Sequence, residues 1–73
     1  MNIKVTYVFT DGVKITKRDR FEGEASLRSL AIDLACEIYE AANKKQPYII
    51  DTGLESVATN PERFVAVYVT QID

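Results

Sequence analysis

The side chains best equipped for chemistry in this chain share one stretch, where Asp33, Glu37 and Glu40 surround the thiol of Cys36. Carboxylates three to four residues apart lie along one face of a helix, and their oxygens suit a hard cation such as calcium or magnesium. Such a cation needs ligands that converge from several directions. One convex helix face does not supply them, so the spacing predicts a solvated acidic strip and no metal site. A reactive thiolate needs nearby positive charge or a helix N-terminus. Cys36 instead stands between Ala35 and Glu37, which predicts a small, quietly packed hydrophobe.

What is missing excludes more. The 73 residues contain no His and a single Cys, so neither a Cys/His zinc site nor a Ser-His or Cys-His nucleophile pair can be assembled. Gly12, Gly23 and Gly53 are isolated, as turn punctuation is, and form no phosphate-cradling loop or dinucleotide fingerprint. Only acid-base chemistry by Asp, Glu, Tyr or Lys would remain, and no pair of these is visibly poised. The expectation is a protein that is not an enzyme and needs no cofactor. One Cys cannot close an intramolecular disulfide, which points to a reducing, cytoplasmic setting. The start Met1-Asn2-Ile3-Lys4 lacks the pattern of an export signal, and no apolar run is long enough for a membrane span.

The elements that must position these residues begin with an alternating strand. Ile3, Val5, Tyr7 and Phe9 fall on one face, while Asn2, Lys4, Thr6, Val8 and Thr10 fall on the other. Asp11-Gly12 then turns the chain. A two-residue loop would put Val13 and Ile15 on the polar face. A three-residue loop, Thr10 to Gly12, with Gly12 in the left-handed conformation, pairs Phe9 with Val13, Tyr7 with Ile15 and Val5 with Lys17. That register gathers the apolar side chains. It also makes the outer face basic, with Lys4, Lys14, Arg18 and Arg20 together and Lys17 at the rim.

Ser26 can cap a helix running to about Lys45, with Pro47 as its stop. Leu27, Leu30, Ala31, Leu34, Ala35, Ile38, Ala41 and Ala42 form its core stripe, and the acidic residues with Lys44 lie opposite. Ile32, Cys36 and Tyr39 fit neither side and form an apolar flank. Either a loop such as Thr52 to Asn60 covers that flank, or it is an exposed binding patch.

The last third predicts short strands at Tyr48–Ile50 and Leu54–Ala58, a turn at Asn60-Pro61-Glu62, and a strong strand from Arg63 to Ile72. Apolar residues on both of its faces predict a central strand covered twice. The uniform Val65, Val67 and Val69 suit the helix side, leaving Phe64 and Tyr68 on the open face. The fold class is α+β: a small, mainly antiparallel sheet in ββαβ(β)β order with one helix across one face, in a single domain spanning residues 1–73.

Two functions follow from these surfaces. Ile32, Cys36, Tyr39, Phe64 and Tyr68 would bind another protein or a second copy of the chain. Alternatively Lys4, Lys14, Arg18, Arg20 and Tyr68 would bind single-stranded nucleic acid, pairing positive charge with a ring. A net charge of -2 ranks nucleic acid behind protein as a partner. In size, acidity and single-domain build, though in no specific motif, the chain resembles phage and mobile-element accessory proteins. That resemblance implies a protein that binds and inhibits a host protein, while the apolar surplus on the helix flank and the last strand points to self-association.

Overall fold

In the computed structural model, which describes residues 1–73, the alternating segment forms β1 (Asn2–Phe9) and its hairpin partner forms β2 (Lys14–Arg20). The three-residue register holds: Tyr7 pairs with Ile15, Val5 with Lys17 and Lys4 with Arg18. Gly12 takes a φ of 82°, which a side chain would make costly, and its N–H donates to the Phe9 carbonyl at 3.0 Å. The helix α1 spans Leu27–Asn43, and the Ser26 hydroxyl accepts the Ser29 N–H at 3.0 Å as its cap. Two short strands, β3 (Tyr48–Asp51) and β4 (Ser56–Thr59), pair with each other. A single turn of 3-10 helix at Pro61–Arg63, capped by Asn60, leads into β5 (Phe64–Gln71).

The strands make two antiparallel sheets, a three-stranded one in the order β2-β1-β5 and the separate β3-β4 hairpin. The central strand is therefore β1. Its inner residues Ile3, Val5, Tyr7 and Phe9 join Ile38 of α1 and Ile50 of β3 in the buried core. The helix lies over the β5 side of that face. The β3-β4 hairpin takes the β2 side, where Tyr48 packs on Tyr7 with ring centroids 6.1 Å apart. No helix of the chain is long and apolar enough to cross a membrane.

Strict alternation misplaces β5 in two respects. The strand is an edge, paired with β1 alone, rather than a central element. The pairing with β1 shifts between Val8 and Phe9, so that Val8 faces Ala66 while Phe9 faces Phe64, and Val65 is left over as a bulge. The extra residue moves Phe64 from the open face to the helix side, where its ring meets Phe9 at 6.3 Å. Val67 and Val69 face inward as expected, and both pack on the core. Val65 does not, since 55% of it stays exposed. The open face of β5 is then Ala66, Tyr68 and Thr70. That face is half polar and does not need a second cover.

Candidate protein interface

The apolar flank of α1 comes to lie beside the free edge of β5. The β3-β4 hairpin is engaged over β2 and β1 and does not reach the flank, so Ile32 and Tyr39 remain 50% and 56% exposed. Cys36, expected to be packed, is exposed as well. Its position on the flank, outside the core stripe, gives it nothing to pack under. Phe64 links this surface to the core, because its ring stands edge-on to Tyr39 at 5.8 Å as well as to Phe9.

Between helix and strand runs a shallow groove of about 280 Å³, walled by Ala31, Ile32, Ala35 and Tyr39 on one side and by Phe64 to Val67 on the other. All eight lining residues are hydrophobic. Ala31 and Ala35 belong to the core stripe, but their small side chains leave the groove floor open. Alanines four residues apart next to a surplus apolar flank are the sequence signal for such a groove. The structure thus brings Ile32, Tyr39 and Phe64 together, with Cys36 beside them. Tyr68 is separated from them, on the opposite face of the sheet.

That opposite face carries the basic residues. Asn2, Lys4, Thr6 and Val8 of β1 sit between Lys14, Thr16, Arg18 and Arg20 of β2 and Ala66, Tyr68 and Thr70 of β5. Of its four cations only Arg20 is ion-paired, with Glu22 at 3.6 Å. The hydroxyls of Thr6 and Thr16 meet at 3.2 Å in the middle. Tyr68 is its single ring, since the bulge removes Phe64 to the other side. Lys17 is half-buried on the inner side of β2, and lines a crevice shared with Thr52, Leu54 and Glu55.

The acidic strip is spread out along α1, and two of its three carboxylates, Glu37 and Glu40, are engaged. Glu40 pairs with Lys44 at 2.8 Å, and the hydrogen bond and charge of that lysine hold its carboxyl below the usual range. Glu37 accepts the Tyr48 hydroxyl at 3.2 Å. Burial, then the adjoining Tyr7 and Glu37, push the Tyr48 phenol well above its ordinary value. No group of three or more Cys, Asp or Glu side chains is placed to hold a metal ion. No known protein family, curated protein or solved structure matches this chain.

Proposed function

We propose that the protein is a small non-enzymatic binding module, an accessory protein of the reducing cytoplasm that docks its α1–β5 side on another polypeptide. One observation carries the reading: an all-apolar groove lies directly beside a strand edge with no other strand on it. A polypeptide in that position would gain main-chain hydrogen bonds from the edge and side-chain contact from the groove. A photo-crosslinking residue at position 32 or 65, with position 16 on the far edge as control, tests it in living cells. Protein adducts from 32 and 65 that are absent from 16 are the expected result. Equal yields from all three positions would end this reading.

A second reading is favoured by the register, which gathers Lys4, Lys14, Arg18, Arg20 and Tyr68 on one open face. It would bind single-stranded nucleic acid, with affinity falling steeply as salt rises. A single ring offers stacking for little more than one base, so the protein-binding reading ranks first. Fluorescence anisotropy with labelled oligonucleotides at low salt decides it, and a flat titration removes it.

A further inference from the structure

We infer that the surface binds a second copy of this chain, through antiparallel pairing of β5 with itself, which joins two three-stranded sheets into one of six strands. The inference rests on the binding-module reading and names its partner. The phase of the free edge is fixed by the Ile72 N–H, which donates to the Asn2 carbonyl at 3.0 Å. Antiparallel alternation then aims the backbone groups of Ala66, Tyr68 and Thr70 at β1, and those of Val67, Val69 and Gln71 at the open side.

The strand is complementary to itself. Phe64–Gln71 contains no charge, proline or glycine, so nothing in it repels an identical strand. Pairing centred on Val67 sets Val67 against its copy and Val69 against the copy's Val65, and the backbone groups of Val67 and Val69 already face outward. On the outer face it places Tyr68, 59% exposed, over the copy's Ala66, large against small. Arg63 precedes the strand and Asp73 follows it, and antiparallel pairing brings these opposite charges toward each other at both ends. Ile32 shares the groove with Val67, so the two lie near the same axis, and the second helix would cover the exposed flank. The β2 edge cannot serve in the same way. Lys14, Lys17, Arg18, Asp19 and Arg20 fill most of it, and their positive excess would meet itself.

Sedimentation equilibrium of the full chain from about 5 µM to about 500 µM, with residue-resolved amide exchange at both ends of the range, tests the pairing. The expected result is a mass that doubles with concentration, while the Val67 and Val69 amides slow by roughly tenfold or more. The Thr16 and Arg18 amides, on the other edge, should stay fast. Val65→Lys should remain monomeric at the highest concentration with an unchanged circular dichroism spectrum. A parent that stays monomeric throughout overturns the pairing. So does a dimer in which Val67 and Val69 exchange as fast as Thr16 and Arg18. If the chain is monomeric yet positions 32 and 65 still crosslink to another protein, the binding module stands and only its partner changes.

Discussion

The two flanks of the three-stranded sheet solve the same problem differently. On the β2 flank the edge strand is mostly charged, and the β3-β4 hairpin folds over its inner side. On the β5 flank the edge strand carries no charge, and its inner side is covered by α1. Both edges leave backbone groups unpaired, and such edges invite association unless something blocks it. Charge blocks β2. The device on β5 is one bulge, which bends the Phe64 end and leaves the stretch from Ala66 regular. The molecule therefore has one edge guarded by charge and one guarded only by a bulge.

The largest effect should come from testing whether β5 is held to the core as firmly as this contrast requires. Val67 packs inward on the buried cluster, so Val67→Asp puts an unpaired charge beneath α1. That costs several kcal/mol against a total of about 5, and the variant should be unfolded by circular dichroism. Thr16→Asp, an exposed site on the charged edge, should fold with a melting temperature close to the parent's. Phe64→Ala comes next. Loss of the Phe9 and Tyr39 contacts from a half-buried ring should cost about 2 kcal/mol in a urea titration. A cost near zero would mean that Phe64 points outward and that the bulge is absent.

Local pattern explains why much of the fold was legible. Alternation in β1 and the Asp11-Gly12 turn fix the first hairpin's register, because any other register wastes Val13 and Ile15. Ser26, the apolar stripe and Pro47 fix the helix. The fate of β5 was not legible, because an apolar strand reads the same whether its neighbours are strands or solvent. Its bulge has no local mark, since Phe64, Val65 and Ala66 suit either register. The candidate site was readable as a surplus flank at Ile32, Cys36 and Tyr39. Whether that flank was covered depended on where the β3-β4 hairpin docks, which is a long-range choice made by Tyr48 and Ile50 against β1.

Attachment of that hairpin to the β2 flank can be read through Tyr48. The folded state raises the pKa of its phenol above the ordinary value of 10.0, chiefly by burial. Above that pH the unfolded chain loses the proton first. The contribution to stability is therefore intact below about pH 10 and is lost as pH rises further. Tyr48→Phe keeps the ring against Tyr7 and removes the titrating group. Thermal melts at about pH 9 and about pH 11 should show a larger alkaline drop for the parent than for this variant. Equal drops would mean that the hairpin's hold on the β2 flank does not depend on keeping this phenol neutral.

The smallest effect is expected on the open face of β5, and it separates the strand's two roles. Tyr68 is largely exposed and pairs across to Thr6, whose own contact with Thr16 is polar. Tyr68→Ala removes no core contact, so its stability should fall by no more than about 0.5 kcal/mol. If β5 pairs with itself, the same change removes the ring that lies over the copy's Ala66 at two equivalent places. The dimer should then weaken several-fold at unchanged fold, measured by sedimentation. A monomer destabilised as much as by Phe64→Ala would show that Tyr68 is part of the packing, and the distinction between the two faces of β5 would fail.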